Sequence, residues 1–123
     1  FGLRQYPPLA MDSDPWEKLP GLLAIARFSN VAVKFCGAQL LSKQPYPHAD
    51  VIPILRRVID AFGADRLTWA SDFTRLRMVP EGEPWRGTYA DALRFIGDAD
   101  WLSADERTAL LGQTARTLLG WPR

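Results

Sequence analysis

One cysteine and one histidine are all that the 123 residues hold of those two types. Cys36 alone can form neither an internal disulfide nor a thiolate zinc cluster, and this usage fits a reducing compartment, so cytoplasm is the expected location. A zinc site takes about three or four protein ligands, commonly with two or more His or Cys among them. The single histidine cannot build one unaided. Charge of one sign is missing too: 15 Lys plus Arg stand against 14 Asp plus Glu, a formal net charge of +1. Such a balance provides no basic surface for nucleic acid or an anionic membrane, and neither partner is expected. No apolar run approaches the ~20 residues of a membrane span, and no basic segment followed by an apolar stretch opens the chain as a signal peptide would. Also absent are the Gly-x-Ser-x-Gly elbow, the Walker loop and Gly-x-Gly-x-x-Gly. Nucleotide chemistry is unsupported, and Ser42, Ser71 and His48 do not amount to a triad.

With 47% apolar content, the chain can bury one modest core, and a single domain over 1–123 is expected. Residues 1–15, "FGLRQYPPLAMDSDP", read as loop. Asp14 followed by Pro15 has the form of a helix start, because Asp can accept free backbone N–H groups and Pro at the first helical position sacrifices no hydrogen bond. Trp16, Leu19, Leu22, Leu23 and Ala26 then recur at helical spacing, with Pro20 near enough to the first turn to be tolerated. "NVAVKFCG" alternates as a strand, with Val31, Val33 and Phe35 on one face and Ala32, Lys34 and Cys36 on the other. In "DVIPILRRVIDAFG" a helical stripe of Val51, Ile52, Leu55, Val58, Ile59 and Phe62 is capped by Asp50 and stopped by Gly63.

"RLTWASDF" follows as a second strand after a short connection typical of repeated β–α units. The segment "TYADALRFIG" reads as a helix, and "SADERTALLGQTARTLLGW" opens with a Ser103/Glu106 capping box and continues through Leu110, Leu111, Thr114, Leu118 and Leu119 as another. The sum is α/β, with two strands and about four helices. A two-stranded parallel sheet leaves both edges unpaired and is seldom stable alone. The expectation is therefore a portion of something larger, and the lack of a starting methionine agrees with a processed or partial chain.

Asp72 is the first candidate for chemistry. If Leu67 and Trp69 face a helical layer, alternation sends Thr68, Ala70 and Asp72 to the opposite face, with the aspartate at the carboxyl end of its strand, where α/β folds bind ligands. The alternative is that it caps the following turn or pairs with Arg75 or Arg77. Those two arginines could grip a substrate carboxylate, because the guanidinium fork matches that group, or could be solvated loop residues. Lys34 could act as a Schiff-base nucleophile if buried, but is more simply a lysine that pairs locally or reaches solvent. Cys36 has no local activating partner and reads as a small buried hydrophobe. His48, in "QPYPHAD", reads as an exposed loop or helix-entry residue beside Asp50.

Taken together, "NVAVKFCG", "PYPHADVIPILRRVIDAFGADRLTWASDFTRL", "TYADALRFI" and "LSADERTALLGQTARTLLGWP" resemble the carboxyl-terminal part of the amidohydrolase-2 family of metal-dependent hydrolases and decarboxylases. That family shows "NVxxKxSG", then "aFGxxRlmwgSDfP", then a closing segment of the type "LsxxxrxxilgxNaxrl", and the order of the blocks is the same here. The resemblance implies a (β/α)8 TIM barrel of which this chain supplies the C-terminal portion, "NVAVKFCG" being similar to strand seven and "RLTWASDF" to strand eight. It also implies one divalent metal, often zinc, held through a His-x-His pair on strand one, histidines on middle strands and the strand-eight aspartate, which corresponds to Asp72. Cys36 stands where the family usually has serine, Ala70 where it has glycine, and Thr74 where it has proline.

On this basis the expected function is that of a metal-dependent hydrolase or decarboxylase acting on a small carboxylated or lactone substrate. Asp72 would be the metal ligand or the proton acceptor, and Arg75 and Arg77 the substrate contacts. The metal is expected in the complete enzyme and not on this chain alone, which would be inactive without the N-terminal part of the barrel or a second copy. The alternative from a different class is a non-catalytic α/β module that packs against a partner chain.

Overall fold

In a computed structural model, the described residues are 14, 16–76 and 87–122. Two strands lie side by side in a parallel sheet, β1 (Val33–Cys36) and β2 (Leu67–Ala70), in the register Val33 to Leu67, Lys34 to Thr68, Phe35 to Trp69 and Cys36 to Ala70. Alternation holds as the sequence predicts: Val33, Phe35 and Leu67 are buried and Trp69 packs partly buried against the same core, whereas Lys34 is exposed and Cys36, Thr68 and Ala70 are half-buried. One face of the sheet is thus packed and the other is partly open, an unusual state for parallel strands.

The helix between the strands, α2 (Ile52–Phe62), covers the packed face. Leu55, Val58, Ile59 and Phe62 are each 4% exposed or less, which is the i, i+3, i+4, i+7 stripe of a core-facing helix. Burying a side chain such as Ile59 or Leu67 stabilises the fold by about 2 kcal/mol. Pro53 sits in the first turn, where its missing N–H costs nothing. Gly63 ends the helix at a φ of 77°. Val51, and not Asp50, is the residue at the N-cap. The Asp50 carboxylate instead accepts the Ser42 hydroxyl and the Lys43 N–H, the latter at 2.7 Å, and so ties down the loop before the helix.

The first helix also starts later than Asp14 suggests. Asp14 accepts the Trp16 N–H at 2.9 Å, but residues 16–18 form turns and α1 runs from Leu19 to Ile25, with Pro20 in its opening turn. A two-residue Asx turn satisfies the Asp14 oxygen locally, so the side chain does not need a helix behind it. A short helical turn, α3 (Phe73–Leu76), follows β2. Next comes α4 (Tyr89–Gly97), which opens on a Thr88/Asp91 capping box and buries Ala92, Phe95 and Ile96.

The closing segment begins, as predicted, with the Ser103/Glu106 capping box, and forms α5 (Ala104–Thr108), a π turn over Ala109–Gln113 and α6 (Thr114–Leu119). Gly112 departs from helical backbone inside that turn, at φ 164° and ψ −29°. Of the residues that continue the helical pattern, Leu110 and Thr114 are buried, whereas Leu111, Leu118 and Leu119 are 40%, 51% and 59% exposed.

Two arginines fix the helices to one another. The Arg66 guanidinium donates from Nε to the Phe62 carbonyl at 2.8 Å and from Nη1 to the Ala26 and Phe28 carbonyls, both at 2.9 Å. The Phe62 and Ala26 carbonyls lie at the ends of α2 and α1, where a helix leaves them unsatisfied, and the Phe28 carbonyl, beyond α1, also accepts the Val31 N–H. Arg56 on α2 forks onto both oxygens of Glu106 on α5 at 3.1 and 2.6 Å.

Candidate functional site

Because β1 and β2 are parallel, their carboxyl ends emerge on one side of the molecule. After β1, Gly37 turns the chain with φ 64° and ψ 14° into a 3-10 turn over Ala38–Leu41. After β2 the chain turns again: Asp72 has a φ of 52°, a left-handed backbone that is uncommon outside glycine, asparagine and aspartate. This conformation ends strict alternation and brings the carboxylate across toward the end of β1. Ser71 Oγ accepts the Phe73 N–H at 3.3 Å and the Asp72 carbonyl accepts the Arg75 N–H at 2.9 Å, so the turn is held by its own hydrogen bonds.

The Asp72 side chain is 22% exposed, and its Oδ2 lies 3.7 Å from Arg75 Nε, whose side chain is 34% exposed. The first two predicted site residues are therefore brought together, in the pairing that the sequence allowed as an alternative to ligation. A 3.7 Å separation is an ion pair without a tight hydrogen bond, and it leaves donors of the guanidinium fork for another acceptor. Arg77 lies outside the described residues.

Cys36 is half-buried at the end of β1, and burial pushes its thiol above the ordinary value; Asp72 adds to the rise while Lys34 and Arg75 oppose it. The thiol is protonated at neutral pH. Lys34 is exposed, so it lacks the burial that a Schiff-base role requires. A shallow surface depression, too small to enclose a water molecule, runs along Cys36, Gly37, Gln39, Trp69 and Phe95.

His48 corrects the sequence reading. It is buried at 7% exposure, its ring meets Phe95 and Tyr46 edge-on at 5.8 and 6.0 Å, and Nδ1 lies 2.9 Å from the Gln44 carbonyl. Its φ of 59° explains how a loop residue turns inward. Ser42 bonds Asp50 and not this imidazole, so no Ser–His relay forms. Among the described residues, no group of three or more His, Cys, Asp or Glu side chains could hold a metal ion.

Two neighbours of Asp72 escaped the sequence reading. Tyr89, the first residue of α4, receives the rings of Phe73 at 5.8 Å and Trp69 at 6.4 Å and so props the segment that carries Asp72. Gly37 faces the carboxylate from the other strand. Only its position at the end of a predicted strand signalled it.

A family model described as Amidohydrolase matches residues 5–121 of the chain. No curated protein and no solved structure matches it.

Proposed function

This chain belongs to the amidohydrolase family, and from that premise we propose that it carries the Asp72 edge of a hydrolase active site built at the carboxyl ends of barrel strands. The observation that supports this most directly is the left-handed turn at Asp72, which aims a partly buried carboxylate along the end of the neighbouring strand. Strained backbone of this kind is concentrated at functional sites. The substrate class is a small carboxylated molecule or a lactone. Asp72 accepts the proton of the water that attacks the carbonyl carbon, and Arg75 receives the substrate carboxylate on the donors that Asp72 leaves free.

Family membership also implies a divalent metal, zinc among the candidates. The described residues do not fit a whole site for one. Asp72 is one oxygen donor where about three or four ligands are needed, no group of three or more His, Cys, Asp or Glu among the described residues could hold a metal ion, and His48 is packed against Phe95 and hydrogen-bonded to Gln44. No step is assigned to a metal here. The remaining donors belong, on this reading, to elements that pair with the free edges of the β1–β2 sheet and complete a (β/α)8 barrel, supplied by further chain or by a second copy.

No helix of the described residues is long and apolar enough to cross a membrane. The single cysteine fits a reducing compartment, and on that ground a cytoplasmic setting is part of the proposal.

The test is hydrolysis of a panel of lactones and carboxylated amides by the active enzyme, this chain together with the further chain or second copy that completes its site and with zinc supplied, against Asp72→Ala and Asp72→Asn. Both variants should lose at least about 100-fold in kcat, a typical contribution of one positioned proton acceptor; Asp72→Asn, which tolerates left-handed backbone, should unfold at nearly the same temperature as the parent, whereas Asp72→Ala should lose some stability at its φ of 52°. Equal turnover by parent and variants overturns the proposal.

A further inference from the structure

Gly37 and Asp72 follow different strands, yet both adopt left-handed backbone, with φ of 64° and 52°. A β-carbon built on Gly37 would lie 2.9 Å from Asp72 Oδ2, whereas its next neighbours, Asp72 Cγ and Leu40 Cδ1, would be at an ordinary 3.7 Å. The same oxygen lies 3.7 Å from Arg75 Nε. The carboxylate thus neighbours both a bare backbone and a guanidinium.

We infer that Gly37 is a positioning residue for Asp72: the absence of a side chain at the end of β1 is what allows the carboxylate to lie across it, within reach of Arg75. The close contact involves the free end of a flexible side chain, so a β-carbon at 37 is accommodated by rotation of Asp72 about its own side-chain bonds. The fold survives and the aim of the carboxylate is lost. The functional weight of this inference rests on the reading of Asp72 as the working carboxylate, and its geometry can be measured without turnover.

Substitution at Gly37 also strains a left-handed backbone, and that effect must be separated from the contact. Gly120 serves as the control, since it has the same φ of 64° and nothing within 4 Å of a built β-carbon. The experiment follows the Arg75 Nε–H resonance by NMR in the full chain, assigned through its loss in Arg75→Lys. In Gly37→Ala the signal should move to the position it takes in Asp72→Ala, and it should stay at the parent position in Gly120→Ala. The double variant Gly37→Ala/Asp72→Ala should show no further shift. Gly37→Asn keeps a β-carbon but tolerates left-handed backbone, and it carries the same expectation if the alanine variant does not fold. An Arg75 signal that remains at the parent position in the folded Gly37 variants overturns the inference and leaves the Asp72 proposal standing. An Asp72→Ala chain that keeps full turnover overturns that proposal by a separate measurement.

Discussion

Arg56 and Glu106, fifty positions apart, meet as a two-pronged ion pair at 2.6 and 3.1 Å that joins α2 to α5. The same Glu106 carboxylate accepts the Ser103 N–H at 2.9 Å as the return half of the capping box, so one residue both starts a helix and docks it. The Arg56 guanidinium, with the Ser103 N–H behind it, holds the Glu106 carboxyl down at about 2, against an ordinary 4.5.

A depressed carboxylate stabilises the fold when ionised. Its contribution is complete above the ordinary value of 4.5 and disappears as pH falls toward about 2. Asp91, lowered by the Thr88 N–H and hydroxyl, acts in the same direction. So does Asp50, where burial pushes upward but the Ser42 hydroxyl and Lys43 N–H outweigh it. Urea midpoints should therefore fall between pH 5 and pH 2. Glu106→Gln keeps the capping geometry but loses the ion pair, so it should cost about 1 kcal/mol at pH 6 and flatten the acid limb. An unchanged acid limb would show that the pair contributes nothing measurable.

Arg66 lies just after α2 and leads into β2. Its three acceptors are all backbone carbonyls, of Phe62 at the end of α2, Ala26 at the end of α1 and Phe28 in the loop beyond it. The expected effect is on stability: Arg66→Ala should lose roughly 2–3 kcal/mol, since three charged hydrogen bonds are lost and the Ala26 and Phe62 carbonyls lose the arginine as a donor. Arg66→Lys should restore only a minor part, because an ammonium cannot reproduce the fork. Denaturant unfolding reads both values, and wild-type stability in Arg66→Ala would remove the staple role.

His48 provides a sharper contrast between a structural and a ligating histidine. Buried against Phe95 with Nδ1 at the Gln44 carbonyl, it should matter to folding and not to metal uptake. His48→Ala is expected to cost about 2 kcal/mol from lost packing and from alanine at positive φ. His48→Asn should cost less, because asparagine tolerates that backbone and its amide can still reach the carbonyl. Zinc titration of the full chain should be the same in both variants and the parent. Weakened zinc binding in His48→Asn would contradict the assignment.

What the sequence made legible depends on how local the signal is. The period-2 runs around Val33 and Leu67, the period-3.6 stripe of α2 and the Ser103/Glu106 capping box are all written in nearby residues, and each is present. Asp72 could be placed at a strand end for the same reason. Asp50 and His48 were misread because loop tertiary contacts decide them: the Asp50 oxygen finds Ser42 and Lys43, and a positive φ turns His48 inward. The apolar stripe of the last helix was extrapolated past Gly112, where the helical phase changes. Gly37 and Tyr89 gain meaning only through residues far along the chain, and no single-strand pattern announces that.

Arg75 carries the last prediction, because its two possible roles differ in kinetics. Its ion pair with Asp72 is long, at 3.7 Å, and its side chain is 34% exposed, so its removal should change stability by under ~1 kcal/mol. If Arg75 receives the substrate carboxylate, Arg75→Ala should raise KM by roughly 10-fold or more for carboxylated substrates and leave lactones without a carboxylate nearly unaffected, since one charged hydrogen-bonded contact is worth about 1.5–3 kcal/mol. If it serves only as the counter-ion of Asp72, kcat should fall by the same factor for both substrate types, because the position of the carboxylate is common to all turnover. Arg75→Lys separates the two again: the ammonium preserves the charge beside Asp72 but lacks the planar fork, so it should rescue the counter-ion role and fail to restore carboxylate binding. Steady-state kinetics on a matched pair of substrates, with and without the carboxylate, decide between them, and an unchanged KM in Arg75→Ala on the carboxylated member excludes the substrate contact.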